Sequence, residues 1–339
     1  MPEPSTPTEP TAQVRFALVG CGRIALSHLE ALTRLPEARL AAVVDIPEGR
    51  AAAEVLAQQY ACPFYSNYEH PDIVDKSDAV IICTPPNCHF DIASHFLARS
   101  RHVLCEKPLT TSSIQAKQLV DLARSSGMTL MMASKFRYVD DIAKAKAIIA
   151  SGILGKLLLY ENSFCSKVAM KDRWNARKAI SGGGVLIDNG SHSVDIARYL
   201  LGPIKEIQAQ YAPSGQAVEV EDTAVLLFQT TGGVLGRVEL SWSINKESDA
   251  YISVFGTEGT LLIGWKGSKY RQNGNSSWIA FGNGYNKVAA FQKQLENFIG
   301  CIRGREQPII TPEDALASVH VIEAAYQSSA PPHASRGCT

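Results

Sequence analysis

Between Val14 and about Lys135 the chain reads as short apolar runs alternating with segments of helical spacing. VRFALVG, RLAAVVD, SDAVIICTPP, RHVLCE and MTLMMAS are close to continuous apolar runs, the pattern of strands buried on both faces. RIALSHLEALTRL and EGRAAAEVLAQQY place apolar residues at intervals of three and four, and further helices are predicted at about 88–99 and 112–126. Strands and helices in alternation predict a parallel, doubly wound sheet. After about Phe136 the texture changes. One helix is predicted over 137–150. Longer strand patterns follow in KLLLYENSFCSKV, DTAVLLFQTTGGVLGRVELSWS and DAYISVFGTEGTLLIGW, with hairpin-turn composition at TTGG and GTEGT. Helices at about 286–303 and 311–328 end the pattern. The expected fold class is α/β: a doubly wound parallel-sheet domain at 14–135, then an α+β domain at 136–330 with a large, open, mostly antiparallel sheet. The proline-rich start, 1–13, is expected to be a disordered tail and 331–339 a loose one.

Composition narrows the class without changing this layout. The 339 residues are 45% hydrophobic and 19% charged with zero formal net charge, so two globular domains are expected and neither nucleic acid nor an anionic membrane surface as partner. Eight cysteines are scattered with no C-x-x-C pair. No metal site is expected, and reduced thiols point to the cytoplasm. The start lacks a signal-peptide pattern, and no apolar run approaches transmembrane length.

The first chemistry-bearing stretch is ALVGCGRIA, with Gly20-x-Gly22-x-x-Ala25 between a predicted strand and a predicted helix. That context is what a dinucleotide fingerprint requires, so 14–135 is expected to be a Rossmann dinucleotide-binding domain and 136–330 to serve substrate binding and self-association. Gly20 permits the tight turn, Gly22 lets backbone approach a pyrophosphate, Ala25 allows close helix packing, and Arg23 and Ile24 open the helix whose N-terminus faces the phosphates. Asp45 ends the second strand, 23 residues after Gly22. A carboxylate there accepts from ribose hydroxyls and repels a 2′-phosphate, favouring NAD over NADP; its other reading is a helix cap. CTPPNCH follows another strand, where Thr84, Pro85, Asn87 and His89 are expected either to contact cofactor or to be ordinary loop residues.

HVLCEKPLT raises a sharper question, because Glu106, Lys107 and Pro108 follow three apolar residues directly. At the C-terminal end of a parallel strand such charges leave the sheet and line the ligand crevice; the alternative is an exposed ion pair on a loop. In GGGVLIDNGSHSVDIARYLLG, Asp188, His192 and Asp195 share one face of a predicted helix. A neutral histidine there suits a general base, and a neighbouring carboxylate stabilises its protonated form; the alternative is a helix N-cap aspartate with a surface histidine. With GCGRIA, TPPNCH and CEKP, this segment resembles the glucose-fructose oxidoreductase / inositol dehydrogenase (Gfo/Idh/MocA) family over about 14 to 328. The resemblance implies Lys107, Asp188 and His192 as the active site, a cis bond before Pro108 that aims Lys107 into the cleft, and hydride transfer between NAD and a sugar or cyclitol carbon. Glu106 and Lys107 are expected beside the cofactor.

Substrate recognition is less determined. SKVAMKDRWNARK carries five basic residues against one acid, either a solvated face or a site for an anionic or nucleotide-linked sugar. Arg137, Trp174 and Arg177 are expected to line the pocket with Lys107, Asp188 and His192, Trp174 as an apolar floor for a sugar ring. Two other functions fit the same scaffold: a redox-type glycosidase and a non-catalytic NAD-binding regulator. Apolar positions in AVLLFQ and YISVFG predict a homo-oligomer, a tetramer or dimer.

Overall fold

The structure, a computed structural model, describes residues 12–329. The expected tails fall outside these residues except for 12 and 13. Six parallel strands form the first sheet: β1 (Val14–Val19), β2 (Ala38–Val44), β3 (Phe64–Tyr65), β4 (Ala79–Ile82), β5 (His102–Glu106) and β6 (Leu130–Ala133). Their order is β3-β2-β1-β4-β5-β6, so the direction of winding reverses between β1 and β4, and the ligand crevice opens there. Most strand positions are apolar because helices cover both faces: Phe16, Leu18, Ile81, Ile82 and Leu104 are fully buried. Two-residue β3 was not predicted; a pair of residues carries no periodicity.

The helices of this half are α1 (Arg23–Leu32), α2 (Arg50–Gln59), α3 (Pro71–Lys76), α4 (His89–Leu97) and α5 (Ser113–Ser126). Next come α6 (Asp140–Ala150), α7 (Lys178–Ser181), α8 (Val185–Leu201), α9 (Lys287–Ile302) and α10 (Pro312–Ser328). None of the described helices is long and apolar enough to cross a membrane. Helix α9 packs back onto α1 and β1, with Phe291 edge-on to His28 of α1 at 4.7 Å and Phe298 against Phe16 of β1.

The second sheet has eight strands: β7 (Leu157–Cys165), β8 (Ile204–Tyr211), β9 (Thr223–Thr230), β10 (Leu235–Ser241), β11 (Ile252–Gly256), β12 (Gly259–Ile263), β13 (Ser268–Gln272) and β14 (Ile279–Gly282). Their order is β14-β13-β12-β11-β7-β10-β9-β8. Every pairing is antiparallel except β7 with β10. The expected turns TTGG and GTEGT join β9 to β10 and β11 to β12. Strand alternation follows the period of two: Ala224, Leu226 and Phe228 face the core while Val225 and Leu227 face outward.

Candidate active site

The crevice begins at the turn after β1. Gly20 has φ +92°, and a Cβ there would lie 2.8 Å from the backbone of Cys83 and Thr84. Only glycine lets this turn approach the end of β4 so closely. Above Gly22 the space is open, and the α1 N-terminus has no side-chain cap. Its first amide groups are thus free to meet an anion. Asp45 lies at the end of β2; its carboxylate accepts from the amides of Cys21 (2.7 Å) and Ile46 (2.8 Å), tying the glycine turn to β2. These features fit a dinucleotide. The buried thiol of Cys21 beside it is pushed up to about 12 by burial and by Asp45, which leaves it unreactive.

From there a cavity of about 580 Å³ extends to the second sheet. Ile24, Cys83, Thr84, Glu106, Lys107 and Lys135 form its Rossmann side. Glu106 ends β5 with its carboxylate 2.8 Å from His28 Nε2, and both side chains are buried. Burial works to raise the Glu106 pKa, yet His28 with the charges of Lys135 and Lys107 outweighs it and holds the carboxyl below its ordinary value. The Lys107–Pro108 peptide bond is cis. The Lys107 ammonium donates to the Asp188 carboxylate and to the Asp188 carbonyl (3.1 Å).

Helix α8 brings Asp188 and His192 to this lysine. It starts where a Cβ on Gly184 would lie 1.9 Å from the Glu221 carbonyl, and the Glu221 carboxylate accepts from the Gly184 and Leu186 amides. A carboxylate at a helix N-terminus also complements the macrodipole. His192 lies one turn after Asp188, edge-on to Phe136 at 5.0 Å. Its Nδ1 is buried without a hydrogen-bond partner, so Nε2 is the nitrogen available to the cavity. Burial, reinforced by Lys107 and Lys135, drives the His192 pKa well below its ordinary value, so the imidazole is neutral near pH 7.

The wall opposite is aromatic. Phe136, Phe164, Tyr251, Trp265 and Tyr285 form a stacked cluster, with Tyr251 and Trp265 centroids 4.3 Å apart. Trp265 and Trp174 are 44% and 40% exposed, so two indoles face the space beside Lys107, Asp188 and His192.

The N-terminal residues 14–134 match the family model described as "Oxidoreductase family, NAD-binding Rossmann fold", and 142–262 match its "GFO/IDH/MocA C-terminal domain". The chain belongs to the Gfo/Idh/MocA oxidoreductase family. It is 30% identical to scyllo-inositol 2-dehydrogenase (NAD(+)) of Bacillus subtilis (strain 168), over 93% of this chain and 94% of that one. Inositol 2-dehydrogenase of Rhizobium meliloti (strain 1021) is 27% identical over 94% and 97%. The structure of GenD2 from gentamicin A biosynthesis, solved with NAD, superimposes with TM-score 0.82 at 27% identity, covering 97% and 96%. As a member of this family the chain is an NAD-dependent dehydrogenase, with NAD held by the Rossmann half.

Several residues expected at the Gfo/Idh/MocA site lie elsewhere. Arg137 is 3% exposed and does not line the cavity. It donates to both Asp195 carboxylate oxygens, to Asp314 (2.8 Å) and to the Ile309 carbonyl (3.0 Å), because an arginine facing inward from the turn after β6 needs buried acids to pair it. Asp195 is consequently spent on Arg137 and Ser134 and does not orient His192. Three residues beyond His192, it lies on the α8 flank turned to Arg137. Arg177 is exposed at the α7 N-terminus and lies outside the cavity. None of the five basic residues in 166–178 reaches the cavity; Ser166, Trp174 and Asn175 do. His89 braces the loop instead of facing ligand, its ring nitrogens 2.8 Å from the Pro108 carbonyl oxygen and 2.9 Å from that of Thr84. Pro85 and Asn87 stay on that loop without lining the cavity, whereas Ile24, Thr84, Glu106, Lys107, Trp174, Asp188 and His192 all line it. Gly20, Gly22, Arg23 and Asp45 form the turn beyond its edge.

Lys135 was missed. It follows β6 as Lys107 follows β5, and Glu106 pairs in register with Ala133, so the rule that drew attention to one strand end applied to the other. The wall residues Phe164, Tyr251, Trp265 and Tyr285 come from four separate segments and carried no local signal.

Proposed function

We propose that the chain oxidises a ring hydroxyl of a sugar, cyclitol or sugar derivative, passing the hydride to NAD. Convergence of Lys107, Asp188 and His192 on one cavity, beside two exposed indoles, carries the reading. NAD supplies the redox chemistry. The Lys107 ammonium hydrogen-bonds the reacting oxygen and favours negative charge on it. His192, neutral and with Nε2 toward the cavity, takes the hydroxyl proton, and Asp188 grips Lys107 and an adjacent hydroxyl. The indoles offer flat apolar surface to the C–H face of a ring. Asp45 supports preference for NAD over NADP. The similarity to inositol dehydrogenases supports a polyol substrate.

A panel of sugars, inositols and glycosides, followed by NADH absorbance, tests the reaction. NADH formation with one class supports it. Glycoside hydrolysis without net NADH would mean the redox-type glycosidase, and NAD binding without any turnover the non-catalytic regulator. For the active substrate, Lys107→Ala and His192→Ala should bind NAD normally and turn over on the order of 10²-fold more slowly. Turnover within a few-fold of the parent would remove both from the mechanism. Because His192 titrates well below its ordinary value, its limb in the pH–rate profile should lie on the acid side of pH 6.5.

We also propose a cytoplasmic homo-oligomer. The seven described cysteines are free, which favours a reducing compartment. Outward-facing Val225, Leu227, Leu235 and Leu159, 37–54% exposed, lie on adjacent strands β9, β10 and β7 beside the Arg237 ion pairs to Glu161 and Glu239, and offer apolar surface for association. In YISVFG, by contrast, Ile252 and Val254 are buried in this chain's own core and supply no such surface. Light scattering should give a dimer or tetramer, and Leu227→Asp should dissociate it; a monomeric parent protein would refute the proposal.

A further inference from the structure

Of the cleft cations Lys107, Lys135 and Lys246, only Lys135 makes no ion pair to a carboxylate among the described residues, Glu106 and Asp188 acting on it at longer range. Lys107 pairs with Asp188 and Lys246 with Glu239. The Lys135 ammonium instead lies over the rings of Phe136 (5.6 Å) and Phe291 (5.4 Å). It stands at the tip of β6, beside the tip of β5 that carries Glu106, on the Rossmann side of the cavity. If the cleft performs hydride transfer, the nicotinamide must enter between this side and His192.

We propose that Lys135 sets the relative affinity of the cleft for oxidised and reduced NAD, its ammonium opposing the positive charge of the oxidised nicotinamide and its neutral amine leaving that charge unopposed. The inference rests on the dehydrogenase reading above. The oxidised ring is a cation and the reduced ring is neutral, so a fixed positive charge nearby weakens binding of the first and not of the second. Glu106 supplies the negative charge for which the ammonium and the oxidised ring compete.

The surroundings make this charge switchable. Burial lowers the Lys135 pKa to about 8; Glu106 on β5 and Asp188 on α8 oppose the shift, and Lys107 and Lys287 on α9 add to it. His192 is neutral, Arg137 is locked to Asp195 and Asp314, and Tyr285 is pushed up to about 12, mainly by burial. His28 bonds Glu106 and stands edge-on to Phe291, one of the two rings under the ammonium. By reciprocity of linkage, a cofactor that binds better to the neutral amine must bind better as pH rises through this titration.

The test measures dissociation constants of NAD+ and NADH by calorimetry at pH 6.5 and 9.5, with no substrate and no turnover. For the parent protein the ratio Kd(NAD+)/Kd(NADH) should fall on the order of tenfold between the two pH values. Lys135→Met should show the low ratio at both. Lys135→Arg, whose guanidinium keeps its proton over this range, should show the high ratio at both. A melting curve for each variant establishes that it is folded. If both cofactors bind but the ratio is the same at both pH values, or its pH step survives in Lys135→Met, the inference is overturned while the dehydrogenase reading stands. If neither cofactor binds the parent protein, both fall.

Discussion

Replacing Arg137 by leucine separates two roles, because contact with substrate and support of the fold predict opposite measurements. The guanidinium is 3% exposed, and Asp195, which it grips through Nε and one terminal nitrogen, is fully buried. Removing the arginine leaves Asp195 with the Ser134 hydroxyl as its remaining partner. It also takes the 2.8 Å bond from Asp314, which keeps only longer contacts with Thr311 (3.4 Å) and Arg198 (3.5 Å). Breaking a buried ion pair from one side typically costs about 3–5 kcal/mol, since an uncompensated charge stays behind. For a folding unit of roughly 200 residues each kcal/mol moves the melting temperature about 2–4 °C, so Tm should fall on the order of 10 °C. The KM of whatever fraction remains folded should change less than about twofold, because Arg137 does not line the cavity. Differential scanning calorimetry and initial-rate kinetics on the same preparation supply both numbers. The double variant Arg137→Leu/Asp195→Leu should recover much of the loss, since the fully buried Asp195 charge is no longer orphaned and Asp314 keeps Arg198. A variant that melts within about 2 °C of the parent protein but has a KM raised tenfold would refute the structural role and return Arg137 to the substrate.

Three further outcomes test other parts of the site. Gly20→Ala should lower NAD affinity more than tenfold and also lower Tm, because the new Cβ meets backbone at 2.8 Å and a φ of +92° costs a non-glycine residue roughly 1–3 kcal/mol; unchanged calorimetric affinity would contradict it. Asp45→Ala should weaken NAD and narrow its advantage over NADP, and a titration in which NADP already binds the parent protein as tightly would overturn the role given to this carboxylate. Glu106 and Asp314 both titrate below their ordinary values in the folded protein, the net result of cationic partners outweighing burial. Depressed carboxyl pKa values add stability that is complete above the unfolded values, 4.5 and 3.8, and is lost as pH falls through the folded ones. Their contribution to Tm should therefore be level above about pH 5 and decline below pH 4, with a shallower decline in Asp314→Asn; an equal slope in parent and variant would count against the pairing.

Local sequence was enough for much of this protein. Continuous apolar runs separated by helical spacing could only be satisfied by strands covered on both faces, and that dictated the parallel sheet. The strand–glycine–helix order at Gly20 and Gly22, the acid closing β2 and the charges terminating β5 then fell at the C-terminal edge, where such sheets open. Asp188 and His192 needed only the 3.6-residue period to share a face. Tertiary structure decided what each charge does once folded. Arg137 and Trp174 looked alike as pocket candidates, yet one is sealed against Asp195 and Asp314 from α8 and α10 while the other faces the cavity. Asp195 shares a helix with His192, but ion pairing across elements turned it to a different task. Lys135 was within reach of the strand-end rule, but the aromatic wall became visible only when β7 and the segments around Tyr251, Trp265 and Tyr285 were brought together. The division has a physical reason: backbone period and turn chemistry act over a few residues, whereas pairing, burial and the pKa shifts that follow depend on neighbours distant along the chain.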